Sequence, residues 1–180
     1  MGRRFLHILL LITLLLDPDA ACGAGPGPKA AGAEFAFSGI GLNWQKHASG
    51  NTFHDMTLEA DLYNVLSGKS RCPGIRFSYI KDFIFASSEH EDFVLNWYAG
   101  PGFTAGYVMD HACEEYGLMT GLCANVGVEF NFEVPVCISI GLMPSLAAHF
   151  VKEEGNLTLN IYTNGLMHIL SPKLGIKYRF

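Results

Sequence analysis

Between Phe93 and Phe180 the chain alternates bulky apolar residues with small or polar ones at a period of two, in four successive runs. Within Gly117–Phe132, Leu118, Leu122, Val126, Val128, Phe130 and Phe132 alternate with Gly117, Gly121, Asn125, Gly127, Glu129 and Asn131. A strand sends successive side chains to opposite faces, so each run predicts a strand with one greasy face. Phe93–Met109, Val136–Phe150 and Leu166–Phe180 repeat the pattern, and Phe35–Lys46, His54–Leu66 and Ile75–Tyr79 show it more weakly. Turn-rich pieces separate them at Ala48–Asn51, Ser67–Gly74, Ser87–Asp92, Asp110–Tyr116, Glu133–Pro135 and Val151–Asn156. Gly100-Pro101-Gly102, inside a run, predicts a bend or bulge.

Alternation does not say which face points inward. The polar-side positions are rich in glycine, serine and asparagine, which cover a soluble surface poorly and fit a narrow lumen. The pattern therefore predicts an all-β fold, a closed antiparallel transmembrane β-barrel with apolar residues outward and polar ones inward. A soluble barrel with the greasy face inward is the competing reading.

Composition agrees with the membrane reading. The 180 residues are 49% hydrophobic and only 16% charged, yet no apolar run reaches the ~20 residues of a spanning helix. A membrane barrel combines these features because only every second residue meets lipid. Arg3 and Arg4 precede the apolar run Phe5–Leu16, so 1–22 reads as a cleaved export signal, 23–33 as a Gly/Pro-rich leader and 34–180 as the barrel domain. Ala20-Ala21-Cys22 resembles a lipoprotein signal end, with Asp19 against it; Arg3-Arg4 resembles a twin-arginine signal, a route for folded cargo that does not suit a membrane barrel. The net charge of −5 offers no basic patch for nucleic acid.

The ending Lys173-Leu-Gly-Ile-Lys-Tyr-Arg-Phe180 resembles the C-terminal signal of Gram-negative outer-membrane barrels, with Phe180 terminal and Tyr178, Ile176 and Leu174 at the apolar positions before it. Trp97–Tyr107 and Gly127–Phe132 are similar to two strands of small OmpX-like or opacity-type barrels. The resemblance implies an outer-membrane location and eight strands. It implies partners in outer-membrane lipid, lipopolysaccharide and the barrel-assembly machinery, with an extracellular ligand held by the loops. It also implies a role in adhesion, host contact or envelope integrity; a few members modify lipids.

Seven runs are visible, whereas such a barrel needs an even number. The missing strand falls at Leu157–Tyr162 or hides in Ile75–Leu95, where Asp82–Phe85 breaks the phase. The short Glu133–Pro135 turn fits the periplasmic end, which puts Asp110–Tyr116 and Val151–Asn164 outside.

On the inward face Glu59, Asp61, Arg76, Glu129, Lys173 and Lys177 predict a salt-bridged plug, because a buried charge needs a partner. An eight-stranded barrel is just wide enough for its side chains to fill it, so it is not expected to conduct. None of the seven histidines has a second ligand at metal-site spacing. Ser145 and His149 share an inner face without a triad acid, and His168 has no serine beside it. The expectation is therefore no enzyme, no metal and no cofactor, with a barrel-embedded lipid hydrolase as the alternative. Cys123 and Cys137 read as lumen fillers, and Cys72 and Cys113 as a possible loop disulfide in a compartment that permits one. Trp44, Trp97, Tyr107, Phe150 and Tyr178 suit an interfacial aromatic girdle.

Overall fold

The computed structural model describes residues 29–48, 50–110, 114–153, 156–167 and 172–180. It is all-β. Ten antiparallel strands run in chain order: β1 (Lys29–Ala36), β2 (Gly39–His47), β3 (Thr52–Asp61), β4 (Gly74–Glu89), β5 (Phe93–Met109), β6 (Tyr116–Phe132), β7 (Val136–Leu142), β8 (Ser145–Glu153), β9 (Asn156–Ile161) and β10 (Lys173–Arg179). Two short helices, α1 (Tyr63–Leu66) and α2 (Asn164–Met167), lie in connections.

Each of β1 to β6 pairs with the next, β6 pairs with β7, β7 with β10, and β10 with β1, so the hydrogen bonds ring through eight strands. β8 continues β7 along the same partner: Val126 to Asn131 of β6 face β7, and Leu118 to Cys123 face β8. The interruption is Met143-Pro144. Proline has no N–H for the ladder, yet Ala124 N still donates to the Pro144 carbonyl at 3.0 Å. β9 pairs with β8 above the point where β10 pairs with β7.

One circuit of the ring displaces the register. Starting at Val128 and passing through Ile140, Leu174, Phe35, Ile40, Ala60, Ile75 and Tyr107 arrives at Leu118, a displacement of 128 − 118 = 10 residues. At ~3.3 Å per residue and ~4.8 Å between strands, that stagger tilts eight strands by about 40°.

The eighth strand of the ring comes from neither predicted place. It is β1, which starts at Lys29 inside the stretch read as leader and ahead of the Glu34 boundary. The run Phe35–Lys46 is not one strand: Phe37-Ser38 turns the chain between β1 and β2. Ala30, Ala31, Gly32 and Ala33 carry too little contrast in size for a period of two to show. Leu157–Tyr162 is a strand, β9, but it extends the upper wall.

The phase does not break at Asp82. Asp82 is buried and Phe83 exposed, in step with Ile75, Phe77 and Tyr79, and the irregularity sits between Ile84 and Ala86. The bulge predicted at Gly100-Pro101-Gly102 is absent: Ile80 faces Gly102 and Phe83 faces Ala99 without a shift. The final run is also shorter than the alternation suggests, because β10 begins only at Lys173, after Pro172, and α2 occupies Asn164–Met167.

One end of the ring carries Lys29, hydrogen-bonded to Phe180, and the turns 48–51, 90–92 and 133–135. The opposite, loop end carries Phe37-Ser38, the connection 62–73 with α1, and Asp110, Glu114 and Glu115 between β5 and β6. The 62–73 connection is tied down there. Asn64 Nδ2 donates to the Met109 carbonyl at 2.7 Å, Tyr116 bonds Ser70 and the Cys72 carbonyl, and Lys69 pairs with Glu114.

The two faces of the wall differ as the alternation requires. Buried side chains include Asn43, Gln45, Asp55, Thr57, Glu59, Arg76, Ser78, Asp82, Thr104, Asn125, Glu129 and Lys177. Exposed ones include Leu42 at 68%, Leu122 at 71% and Leu146 at 61%, along with Ile40, Leu58, Phe77, Phe103, Ile140 and Ile176. The interior is polar and the exterior apolar.

Candidate functional site: a polar, charge-paired lumen

Parity decides what enters the lumen. In β3 the odd positions Asp55, Thr57, Glu59 and Asp61 are buried, and in β4 the even positions Arg76, Ser78, Ile80 and Asp82. Glu59 lies directly across from Arg76, close enough for a cross-strand pair. Arg76 Nη2 donates to both Glu59 oxygens at 2.7 Å, with the arginine 2% exposed and the glutamate 4%. Ser38 donates to the same carboxylate at 3.1 Å. Charge-assisted bonds of this kind are stronger than neutral ones.

Towards the termini end, Lys177 Nζ donates to Glu129 Oε2 at 2.9 Å and to Gln45 Oε1 at 2.8 Å, linking β10, β6 and β2 across the lumen. Asn131 Nδ2 donates to the other Glu129 oxygen at 3.0 Å. Lys173 does not pair with one of the other five predicted charges; its partner is Glu34 of β1, at 2.7 Å. Asp61 accepts from the Tyr63 backbone at 3.1 Å and from the Tyr162 hydroxyl at 3.3 Å. The six predicted charges therefore form two direct pairs, Arg76–Glu59 and Lys177–Glu129, while Lys173 and Asp61 find other partners.

Glu34, Asp55, Asp82 and Asp110 were not singled out from the sequence. Glu34 precedes Phe35–Lys46, the first run that alternation shows, and Asp82 sits where the sequence suggests a break in the phase of β4. Asp55 had the right parity for the inward face of β3, and that signal was available. It accepts Asn43 Nδ2 at 2.6 Å, and Asp82 accepts Asn125 Nδ2 at 3.1 Å. Asp110 has no strand parity to reveal it, because it lies just past β5. Its carboxylate accepts Thr163 Oγ1 at 2.7 Å and the Thr163 and Asn164 backbone N–H groups at 3.2–3.4 Å.

Those Asp110 bonds hold the segment between β9 and β10 inside the loop end of the ring. Tyr162 is fully buried, its hydroxyl on Asp61. Asn164 is buried, its amide on the Met109 carbonyl at 3.3 Å, and Gly165 lies so close to Ser145 that a Cβ would meet the carbonyl at 2.5 Å. Lower down, Tyr98 is buried among the charges, and a Cβ on Gly127 would come within 2.6 Å of its hydroxyl. Glycine on the facing strand makes room for the phenol.

His149 Nε2 donates to the Val108 carbonyl at 3.0 Å. A carbonyl can only accept, so this nitrogen carries a proton. Ser145, four residues earlier on the same face, packs against Gly165. Cys123 and Cys137 are buried free thiols, across from Ser145 and Asn131 respectively. Cys72 is an exposed free thiol at the loop end; Cys113 and His168 lie outside the described residues. Among the described residues no cluster of three His, Cys, Asp or Glu side chains is arranged to hold a metal, and no helix is long and apolar enough to cross a membrane. The C-terminal residues Leu174, Ile176 and Tyr178 line up on the exposed face of β10, and Phe180 is bonded back to Lys29. No family model, curated protein or solved structure matches this chain.

Proposed function

We propose that the ring is a closed eight-stranded barrel that spans a bacterial outer membrane and serves a structural or surface-interaction role. The observation that carries this reading is the inverted distribution of polarity: ion pairs inside, leucine, isoleucine and aromatic side chains outside. A water-soluble sheet buries its large apolar face. Here that face stands exposed around the wall, at a cost of ~25 cal/mol per Å² of apolar surface left in water. Hydrocarbon removes that cost, and a closed ring removes the unpaired backbone groups that lipid does not tolerate. β1, β2 and β3 have 8, 9 and 10 residues, close to the ~9–11 of a tilted spanning strand.

The side chains of Arg76, Tyr98, Lys177 and Tyr162 fill the lumen, which supports a stave cage and not a pore. The long 62–73 connection, with Glu114 and Glu115 beside it, would then stand at the outer surface, where it would meet lipopolysaccharide or a ligand. The terminal Phe180, with Tyr178, Ile176 and Leu174, would address the chain to the assembly machinery. The proposal carries no catalytic role.

The test is electrophoresis of the detergent-folded protein, boiled against unboiled, alongside outer-membrane fractions of the native host. A heat-modifiable band in that fraction is the expected outcome. A protein that stays monodisperse in buffer without detergent would overturn the reading.

A further inference from the structure

A basic row crosses four adjacent strands at the termini end. Lys29 faces Lys46, Lys46 faces His54, and His54 faces Lys81. All four share the parity of the outward residues Leu42, Leu58 and Phe77, and Lys46 and Lys81 are exposed. At ~4.8 Å between strands the row is about 14 Å wide. Two residues nearer the loop end, Trp44, Met56 and Tyr79 face one another, and two residues beyond them come Leu42, Leu58 and Phe77. Along β2 and β3 the outer wall thus passes from apolar through Trp44 and Met56 to basic in three rungs, whereas on β4 the exposed Phe83 and Phe85 follow Lys81 towards the termini end.

Lys29 and Lys46 are like charges facing each other across β1 and β2, which is destabilising, so the row calls for an anion. The strand positions beside the row do not supply one: Glu34, Asp55, Glu59, Asp61 and Asp82 are all turned inward, and the exposed Glu89 of β4 lies eight residues beyond Lys81. Among the described residues none of the three lysines is in an ion pair. The row is also built. Tyr79 stacks on His54 at 5.7 Å with its hydroxyl 2.7 Å from Nδ1, and packs against Phe103 at 5.4 Å. The Lys81 ammonium lies 5.6 Å from the Phe83 ring centroid.

We propose that Lys46, His54 and Lys81, with Lys29 at the flank, bind the phosphate of an anionic phospholipid in the leaflet at the termini end. This rests on the membrane-spanning reading above. Lysine stems lie along apolar surface while their ammonium groups reach headgroup depth, and the aromatic rung marks that depth. The occupant is a lipid because the row is continuous with the apolar wall on which acyl chains would lie.

The test uses the full chain folded in phosphatidylcholine nanodiscs carrying a minor fraction of phosphatidylglycerol, with lipids retained on extraction read by native mass spectrometry. The expected result is preferential retention of phosphatidylglycerol by roughly tenfold, falling towards parity in Lys46→Gln/Lys81→Gln. Lys152→Gln, an exposed change near the opposite end, should leave the preference intact. Equal retention by the parent and the double variant overturns the site, as does an equal loss in Lys152→Gln. Displacement of the lipid by inorganic phosphate would show a phosphate site without lipid selectivity and overturn it too. Heat-modifiable mobility is scored on every sample. A parent that shifts but shows no preference fails this proposal alone, and a parent that does not shift fails the membrane reading beneath it.

Discussion

Arg76 and Glu59 meet in a place where neither can be spared alone. Both are almost wholly buried, and the arginine reaches both carboxylate oxygens. Removing one partner strands the other, at a cost of about 3–5 kcal/mol; removing both in favour of apolar side chains is far cheaper. Arg76→Met is therefore expected to lower the urea midpoint of the folded protein strongly, and Arg76→Met/Glu59→Met to recover most of the loss. Equal midpoints for the single and double variants would show that the pair is not energetically coupled. The need for a partner was legible in the sequence, because inward parity put an acid and a base in one lumen. The choice of partner was not. Lys173 takes Glu34 and Lys177 takes Glu129, since the register of β10 against β1 and β7 brings those groups within reach.

At the level of elements, the segment that follows β9 supplies the lumen's stopper. β9 and β10 are separated by Tyr162–Pro172, and the start of that segment turns inward to hydrogen-bond Asp61, Met109 and Asp110. Asp110 is its main anchor. Asp110→Ala should leave the ring folded, with heat-modifiable mobility intact, while making Thr163–Met167 a new cleavage site for protease added to folded protein. An unchanged digest would mean that Tyr162 and Asn164 hold the segment without Asp110. Alternation predicted the long strands well in β6, which buries one face and leaves the other more open, and in β5 from Trp97 to Tyr107; at the end of β5 the consecutive Val108 and Met109 are both buried. It failed at β1, whose alanines and glycine give no contrast, and at Leu166, where an apolar residue continues the period within a helical turn.

For the whole molecule, the question is which solvent the outer wall meets. Trp97 is 45% exposed on the outward face, and Trp44 lies on that face near the termini end. On the membrane-spanning proposal, brominated acyl chains should quench most of the tryptophan fluorescence of the protein in phosphatidylcholine vesicles, and Trp97→Phe should remove the larger part of the quenchable signal. Fluorescence indifferent to bromination would place both indoles away from hydrocarbon. The sequence by itself determined the fold class, the two faces of each long strand and the polar character of one of them, because a period of two is a local property of the backbone. It also determined that the inward charges it revealed, Arg76 and Lys177 among them, would need company. Only the tertiary structure decided which face closes on itself, how the ten-residue stagger aligns the strands, where the eighth strand comes from and which acid meets which base. Those depend on register, and register is set by contacts between strands as far apart in the chain as Lys29 and Phe180.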